Sequence, residues 1–372
     1  MEYIETENYR GYDPYDALKS PLFKLPLLRS WKVVRFGAQQ VNKRSYFNFR
    51  PILAIPKGLN PVTLGLCIQA YAYLSQINKG NSEIYLHKIG ILLKELEKMI
   101  LNGYSGACWG YDFDWQARNA TIPANMPTIV ATGIITNALF SAYSLTGSEH
   151  AFALCNSASN FVLNDLQRMY EGETFCFSYS PLDKQQVLNA SMKGTRLLAQ
   201  VYSINHDNKL KEAAKNAASF VVNNQRKDGS WPYAATGSAS WTDNYHTGYI
   251  LDCLDEYIKH TGDREFDSCL KNGYSYYKSN FFDDHSIPKF YNNRTYPVDC
   301  TAAGQSLLTL ARFGDTELAS NVANWMIAHM QDRDGHFYYH KTRYFMQRTS
   351  FMRWSNAWMF AGLAYLLYKL KN

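Results

Sequence analysis

The stretch Thr146-Gly147-Ser148-Glu149 joins two apolar segments and decides the predicted fold. Gly takes up the left-handed conformation that ends a helix, and a Ser side chain accepts a backbone N–H bond that begins another. A link this short makes the two helices antiparallel neighbours. Four further links have the same pattern: Lys79-Gly80-Asn81-Ser82, Asn205-His206-Asp207-Asn208, Thr261-Gly262-Asp263-Arg264 and Phe313-Gly314-Asp315-Thr316.

The helices around these links recur at a nearly constant spacing. The apolar periodicity predicts first-set helices at about 62–78, 128–145, 188–204, 246–260, 299–313 and 354–370. The second set is predicted at about 83–101, 149–168, 208–224, 264–281 and 315–331. Starts in the first set differ by 66, 60, 58, 53 and 55 residues, and such a period indicates a repeat architecture.

The two sets differ in composition. The first is rich in small residues, as in Thr301-Ala302-Ala303-Gly304, and fits an inner ring, whereas the second has polar faces and fits an outer ring. We therefore predict an all-α fold, an (α/α)6 toroid or six-hairpin barrel that forms a single domain. An open solenoid of helix pairs is the alternative.

The second set lacks a sixth member, which we expect before residue 62. Asp16–Lys19 and Leu27–Gln40 are the candidates. Residues 1–61 are predicted to pack on the ring beside the last helix and to close it. Residues 62–372 are predicted to form the toroid itself, in one structural domain with the N-terminal segment.

The composition excludes several classes of protein. The formal net charge of +6 contains no long Lys/Arg run, so we expect no nucleic-acid partner. The seven Cys form no CxxC pair, which argues against a zinc ribbon or a disulfide framework. The acidic start lacks an apolar signal region, and no apolar run is long enough for a membrane span. We predict a cytoplasmic protein and leave the oligomeric state open.

Aromatic residues make up 15% of the chain, with 28 Tyr and 8 Trp. Their flat apolar bodies and polar tips suit sugars, although core packing accounts for most of them. Every long connection runs from a second-set helix to the next first-set helix. In a toroid these loops all emerge at one mouth, where we expect the active site.

The loops supply the candidate catalytic residues as acids and bases. The strongest is Asp114, because aromatic residues flank it and no helix begins directly after it. Asp243 and Asp299 also fit helix N-caps, so a structural role is equally open for them. The full predicted catalytic set is Asp112, Asp114, Asp183, Asp243, His246 and Asp299.

Trp and Tyr of the loops could stack on sugar rings, and Arg could bind acidic groups. The predicted substrate-binding residues are Trp109, Tyr111, Trp115, Gln116, Arg118, Tyr179, Asn189, Trp231, Tyr233, Trp241, Asn244, Arg294, Tyr296, Tyr338, Arg348, Arg353 and Trp354.

One short motif resembles a known family. Gln225 to Trp231 resembles the Gln-Trp motif of squalene cyclases and related prenyltransferase toroids, and Gln331 to Phe337 is a weaker copy. The resemblance implies a structural role, in which Gln and the aromatic residue tie a helix end to the neighbouring repeat. The zinc pattern of protein prenyltransferases is not matched by Asp299, Cys300 and His246, so we predict neither a metal nor a cofactor.

A second resemblance covers nearly the whole chain. It rests on Gly11-Tyr12-Asp13-Pro14-Tyr15-Asp16-Ala17-Leu18, Trp109 to Gln116, Phe177-Ser178-Tyr179-Ser180-Pro181 and Asp243-Asn244-Tyr245-His246-Thr247-Gly248. These stretches resemble polysaccharide biosynthesis proteins encoded with bacterial and archaeal capsule and exopolysaccharide genes. The resemblance implies a surface-polysaccharide pathway and assigns no reaction.

Three functions follow from the loops. The first is a carbohydrate-active enzyme, in the order glycoside hydrolase, polysaccharide lyase and uronate epimerase. The second is a glycan-binding or accessory protein of a biosynthetic complex. The third is an isoprenoid enzyme that handles undecaprenyl-like lipid and should show an apolar cavity. The expected partner is an oligosaccharide or polysaccharide, with an acidic or lipid-linked glycan left open. On the first hypothesis, Asp114→Asn abolishes turnover and spares binding.

Overall fold

The computed structural model describes residues 1–116, 121–237 and 239–372. Its α-helices are α1 (Glu2–Thr6), α2 (Pro26–Ser30), α3 (Lys32–Arg44), α4 (Pro61–Ile77), α5 (Ser82–Lys98), α6 (Ile129–Thr146), α7 (Glu149–Asn164), α8 (Leu188–Asn205), α9 (Asn208–Asn223), α10 (Asn244–Thr261), α11 (Asp267–Asn280), α12 (Cys300–Arg312), α13 (Thr316–Met330) and α14 (Trp358–Lys371). Short 3₁₀ helices lie at Asp16–Lys19, Pro21–Lys24 and Lys79–Asn81, and a π-helix at Met352–Ala357 leads into α14.

The inner ring consists of α4, α6, α8, α10, α12 and α14. Each packs against the next, and α14 packs against α4, so the ring is closed. The outer helices α5, α7, α9, α11 and α13 each pack on the inner helix that precedes them. The predicted (α/α)6 toroid is confirmed, and the alternative of an open solenoid is wrong.

Small residues let the inner helices approach closely, as predicted. A Cβ on Gly304 would lie 2.7 Å from the carbonyl carbon of Trp358, and one on Gly362 would lie 2.5 Å from the oxygen of Gly304. Two backbones therefore touch where α12 crosses α14, because neither glycine carries a side chain. Residues of the inner helices are buried on nearly all sides, whereas the outer α9 buries only one face.

The short links end and start helices as their residues predict. Gly147 and Gly262 lie in the left-handed region, with φ of 71° each, and their N–H groups bond back to the preceding helix. Ser148 then accepts the N–H of Ala151 to begin α7. The Gln-Trp motif also acts as predicted, since Gln225 donates to the carbonyl of Cys269 in α11 at 2.9 Å.

In the described part of the chain, the loops contain the short strands β1 (Arg10–Gly11), β2 (Gly58–Leu59), β3 (Trp115–Gln116), β4 (Thr121–Ile122), β5 (Arg168–Glu171), β6 (Thr174–Phe177), β7 (Val298–Asp299), β8 (His340–Lys341) and β9 (Met346–Gln347). All described pairs are antiparallel: β1 with β2, β3 with β4, β5 with β6, and the three-stranded sheet β7-β8-β9.

The long loops are joined into a second ring by one repeated backbone bond. At the start of five successive inner helices, a backbone N–H group donates to the backbone carbonyl oxygen of an aromatic residue in the next loop. The pairs are Ile129 to Tyr179, Leu188 to Tyr233, Asn244 to Phe290, Cys300 to Tyr339 and Met352 to Tyr12. The loops therefore converge at one end of the toroid, and Tyr12 of the N-terminal segment closes their ring.

The N-terminal segment meets the toroid at two places. Residues near its start reach the junction of α14 and α4: Tyr3 bonds Ser350, and Glu5 accepts from Tyr71. Further on, α3 packs against Asp16–Lys19, α2 and β3, which places it over the loop end. Both predicted candidate stretches contain helix, and the division at residue 61 stays a prediction.

The cysteines and the most apolar helix bear on the expected absence of disulfides and of a membrane span. All seven cysteines are free and buried. One helix, α6, is long and apolar enough to cross a membrane by length and composition, and 61% of that window is buried inside the fold. In this molecule α6 is an inner-ring helix between α4 and α8.

Candidate active site

The first element of the site is a carboxylate–imidazole pair at the start of α10. Asp243 is buried and caps the helix, because its Oδ1 accepts the N–H of His246 at 3.1 Å. Its Oδ2 contacts Nδ1 of His246 at 2.7 Å and also accepts the indole N–H of Trp241 at 3.1 Å. One buried carboxylate thus fixes both the helix end and the orientation of the imidazole, leaving Nε2 for other partners.

The second element repeats this arrangement at the start of α12. Asp299 is buried, and its Oδ1 accepts the N–H of Ala302 at 2.8 Å. Its Oδ2 bonds Nε2 of His340, which lies opposite Asp299 in the register of β7 and β8. Within the described residues, neither His246 Nε2 nor His340 Nδ1 has a protein hydrogen-bond partner.

From the sequence, Asp243 and Asp299 fit either a helix N-cap or a catalytic role. The structure gives each carboxylate both tasks at once, because one oxygen caps the helix and the other holds an imidazole. Both oxygens of each aspartate are therefore occupied, whereas His246 and His340 each keep one ring nitrogen without a protein partner within the described residues.

A chain of aromatic rings connects the loops around these pairs. Trp241 stacks on Tyr233 at 4.7 Å, and Tyr233 meets His246 edge-on at the same distance. The rings then continue through Tyr245, Trp354, Tyr15, Trp115 and Tyr179, with neighbouring centroids 4.1 to 6.1 Å apart. We number the long loops in chain order: loop one joins α5 to α6, loop two α7 to α8, loop three α9 to α10, loop four α11 to α12 and loop five α13 to α14. One wall therefore brings together predicted aromatic residues from four of these loops: Trp115 of loop one, Tyr179 of loop two, Tyr233 and Trp241 of loop three, and Trp354 of loop five.

These rings are partly exposed, as the wall of a cleft requires. Burial raises the pKa of Tyr179, Tyr245 and Tyr249 well above 10, and the nearby carboxylates of Asp243 and Asp299 raise that of Tyr245 further. All three hydroxyls stay protonated at neutral pH. They can donate hydrogen bonds to sugar hydroxyls, but they are poor bases.

Two polar groups in this wall lack protein partners within the described residues. Nδ2 of Asn189 is buried beside Trp241, Asp243 and His246, where it lines a small pocket. The indole N–H of Trp354 is also buried and unpaired. A buried donor without a partner is costly, so both groups fit the predicted role of binding a ligand oxygen.

Arg353 forms a buried ion pair with a residue of the N-terminal segment. Its Nε and Nη2 donate to the two oxygens of Asp13 at 2.6 and 2.9 Å. The guanidinium also stacks on Tyr111 and Trp354, 4.7 Å from each ring. Because Asp13 already neutralises it, Arg353 holds the mouth together and is not a free site for an acidic sugar.

The carboxylates of loop one are engaged in ion pairs. Asp114 Oδ2 lies 2.8 Å from Arg35, and its Oδ1 accepts the N–H of Ala124 at 2.9 Å. Asp112 lies 2.5 Å from the ammonium of Lys19. Their side chains are 37% and 42% exposed, so water still reaches both.

Asp183 of loop two closes a turn. Its Oδ1 accepts the N–H groups of Tyr179 and Gln185, and its Oδ2 accepts the hydroxyl of Ser180 at 2.5 Å. Both oxygens are therefore used by neighbours within the loop. The catalytic roles of Asp112, Asp114 and Asp183 stay predictions, and the structure gives each of them a structural task.

Several predicted sugar-binding residues belong to the core. Trp109 and Trp231 are 0% and 2% exposed, and their indole N–H groups bond the carbonyls of Leu96 and Val221. Neither ring has a free face, so the prediction that they stack on sugar is corrected. Asn244 and Gln116 are buried as well, and Asn244 accepts from the hydroxyls of Tyr277 and Ser306.

The remaining predicted residues lie around the rim. Arg294 stacks over Tyr291 at 4.5 Å, and Arg348 over Tyr338 at 5.6 Å. Tyr338 donates its hydroxyl to Asp332, and Tyr296 is partly exposed. Arg118 lies outside the described residues. For this rim group the binding role stays a prediction.

The axis of the toroid holds polar side chains. A cavity of about 20 Å³ is lined by Gln69, Asn137, Lys193, Arg196, Asp252 and Arg312 among others, which leaves room for water only. The ammonium of Lys193 lies 3.3 Å from the centroid of the Tyr249 ring, and burial lowers its pKa to about 7. An isoprenoid enzyme should have an apolar cavity, whereas the cavity formed here by the described inner helices is lined largely by polar and charged side chains.

Sequence reasoning missed His340 and Tyr15. His340 is 41 residues from its partner Asp299, and only strand pairing joins them. Tyr15 lies in the Gly11–Leu18 stretch, whose sequence carries the family resemblance but gives no sign that Tyr15 reaches the aromatic wall. Among the described residues, no cluster of three or more His, Cys, Asp or Glu side chains has the geometry of a metal site.

The fold is an (α/α)6 toroid, and the loops at its mouth hold the two aspartate–histidine pairs and the aromatic wall. No protein-family model matches the chain, and none of the curated proteins matches it. Among solved structures, it is similar to cellobiose 2-epimerase from Bacillus thermoamylovorans (TM-score 0.66, 12% identity, 85% of this chain and 90% of that chain).

Two other solved structures have the same architecture with different activities in their names. One is the GH76 alpha-mannanase BT2949 from Bacteroides thetaiotaomicron (TM-score 0.58, 15% identity, 83% and 85% coverage). The other is a D-mannose isomerase (TM-score 0.59, 12% identity, 83% and 86% coverage). At these identities the likeness shows the fold, and these neighbours are carbohydrate-processing enzymes.

Proposed function

We propose that this protein is a carbohydrate-active enzyme that epimerises or isomerises a sugar by proton transfer between two histidines. The observation that carries the proposal is the pair of buried aspartates, each of which caps an inner helix and holds one imidazole at the mouth. The pairs begin at neighbouring inner helices, α10 and α12, and both carboxylates are close enough to Tyr245 to raise its pKa.

The proposed chemistry acts next to a carbonyl group. One imidazole removes a proton from the carbon adjacent to the carbonyl of an open-chain sugar, which leaves an enediolate. The other imidazole returns a proton to the opposite face of the same carbon, giving the epimer, or to the neighbouring carbon, giving the isomer. Proton transfer by a positioned base of this type typically contributes about 10²- to 10⁴-fold in rate.

The surrounding wall fits a sugar substrate. Trp241 is half exposed and presents a ring face beside His246, on which a sugar could stack. The Tyr245 hydroxyl supplies a hydrogen-bond donor near Asp243 and Asp299, and the Asn189 amide supplies one beside Asp243 and His246. The names of the structural neighbours, which include sugar epimerases and a mannose isomerase, support the same class of reaction.

Glycoside hydrolysis is the second candidate, and the exposure of Asp112 and Asp114 favours it. A hydrolase needs two free carboxylates on either side of the bond. We rank it lower because Asp114 uses both oxygens in contacts with Arg35 and Ala124. A role in surface-polysaccharide synthesis, supported by the sequence resemblance, and an acidic or lipid-linked glycan are further parts of the proposal. So is a cytoplasmic location, which the free cysteines support.

The test is proton NMR in D₂O with cellobiose, mannose and uronic-acid oligosaccharides. Epimerisation or isomerisation places deuterium on the carbon next to the carbonyl and produces a second sugar. Hydrolysis releases new reducing ends without deuterium, and elimination gives an unsaturated uronate. Binding without any of these products would contradict the enzyme proposal and favour a glycan-binding protein.

A further inference from the structure

Two stretches of the chain, residues 17–82 and 335–372, carry charge of one sign. Asp and Glu are absent from residues 17–82 and again from residues 335–372, while both stretches contain Lys and Arg. Arg35 and Arg50, in the first of these stretches, pair with Asp114 and Asp16, which lie outside it. Lys24, Arg29, Lys32 and Arg44 are exposed and form no ion pair within the described residues.

Large apolar side chains lie exposed on the first of these stretches. Val33 is 84% exposed, and Trp31, Tyr46 and Phe47 are each more than half exposed. The tip of the β8–β9 hairpin adds Tyr344, at 78%, and Phe345. We call these six side chains, together with Lys24, Arg29, Lys32 and Arg44, the basic aromatic face. Clustered exposed apolar groups of this kind mark interaction sites.

Contacts hold the parts of this face together. The rings of Tyr46 and Phe345 lie 5.2 Å apart. Gln347 of β9 donates to the carbonyls of Lys43 and Ser45 at 2.7 and 2.8 Å. Helix α2, which carries Arg29, packs on α3 and on the 3₁₀ helix that ends at Lys24, so these three elements are neighbours. The face is therefore a built part of the fold.

The face borders the mouth of the toroid. The ammonium of Lys43, near the end of α3, bonds the hydroxyl of Tyr15 at 2.5 Å and lies 5.9 Å from the Trp354 ring. Tyr15 and Trp354 both belong to the aromatic wall of the candidate active site. Anything bound to the basic aromatic face lies next to the site entrance.

We propose that the basic aromatic face docks the protein on the surface of an anionic lipid bilayer. Exposed Trp, Phe and Val inserted among headgroups, with Lys and Arg against lipid phosphates, are the two contributions that hold peripheral proteins at such a surface. The all-basic charge complements the bilayer and opposes a second copy of the same face. Docking would bring the mouth to membrane-bound glycans, and it stands apart from the proposed reaction.

The test is flotation of the full-length protein with vesicles. Vesicles of equal parts phosphatidylcholine and phosphatidylglycerol should bind the protein, and pure phosphatidylcholine should bind at least about tenfold less. Binding should weaken as salt is raised, because exposed charges are screened. The pair Lys32→Glu with Arg44→Glu, and separately Trp31→Ser with Phe47→Ser, should each reduce flotation about tenfold or more.

Matched controls are Lys227→Glu and Ile327→Ser, which change exposed residues elsewhere and should float like the wild type. All variants are checked by circular dichroism and by turnover of a soluble sugar, which should be unchanged, so that loss of docking is separable from loss of activity. Equal flotation with both vesicle types, unaltered flotation of the charge and aromatic variants, or tighter binding to duplex DNA than to vesicles would overturn the proposal. So would a dimer in sedimentation that the face variants dissociate.

Discussion

The two aspartate–histidine pairs reach the same arrangement by different routes. Asp243 and His246 are three residues apart on the first turn of α10, so helix geometry alone brings them together. Asp299 and His340 belong to different loops and meet only because β7 pairs with β8. The first pair is a local product of the chain, whereas the second depends on the fold of a whole hairpin.

This difference has a consequence for how the site is supported. The β8–β9 hairpin that carries His340 is anchored by Gln347 to the backbone of Lys43 and Ser45. The second pair is therefore tied to the N-terminal segment through this hairpin, whereas the first is held at the start of α10 itself. If both pairs serve one reaction, the N-terminal segment is part of the catalytic assembly.

The largest effect is expected from removing either imidazole. His246→Asn and His340→Asn should each lower kcat by about 10²- to 10⁴-fold, because the proton must be taken from one face and returned to the other. The measurement is sugar turnover by NMR in D₂O. His285→Asn, which changes an exposed histidine of loop four, is the matched control and should keep wild-type turnover.

The labelling pattern makes this prediction sharper. In each variant, the remaining imidazole should still exchange one proton with D₂O, namely the proton on the carbon next to the carbonyl in the epimer that it faces. The His246→Asn and His340→Asn variants should therefore place deuterium in different epimers. If one variant keeps full turnover, the two pairs are not partners, and the proposed two-base reaction is wrong.

An intermediate effect is expected from the aspartates. Asp243→Asn and Asp299→Asn keep a side-chain oxygen for the helix cap, but the new amide presents N–H to an imidazole that needs an acceptor. We expect kcat to fall roughly 10- to 100-fold, with KM little changed and a shifted pH–rate profile. Unfolding temperatures are measured alongside, since a purely structural role would lower stability without moving the pH profile.

The contrast between the pairs also shows what the sequence could predict. The five Gly- or Asn-containing links placed five inner helices, α4 to α12, and the five outer helices, α5 to α13, because stop and start signals are local. The repeat spacing placed the sixth inner helix, α14. Asp243 and His246 were predicted together for the same reason. His340 was missed because no periodicity connects it to Asp299, and the pairing appears only when the loops fold.

Burial was the other property that the sequence did not reveal. Trp109 and Trp241 stand in similar aromatic loops, yet one is fully buried with its indole N–H on Leu96, and the other is half exposed over Tyr233. From the sequence alone, an aromatic residue in a loop fits a buried core position and an exposed sugar-binding position equally well. Only the packing of the next repeat decides which ring is covered.

The smallest effect is expected at Asp114, where loop one offers a rival to the two histidine pairs. Asp114→Asn keeps an acceptor for the Ala124 N–H and loses the ion pair with Arg35, which is partly exposed. Such a pair contributes about 0–1 kcal/mol to the free energy of unfolding, so turnover should stay within roughly threefold of wild type. Asp112→Asn, which loses the ion pair with Lys19, is the matched variant. If Asp114→Asn instead abolished turnover while thermal unfolding was unchanged, a loop-one carboxylate would be the acid or base. The aspartate–histidine pairs would then be helix caps with neighbouring imidazoles, and hydrolysis would replace epimerisation as the reaction.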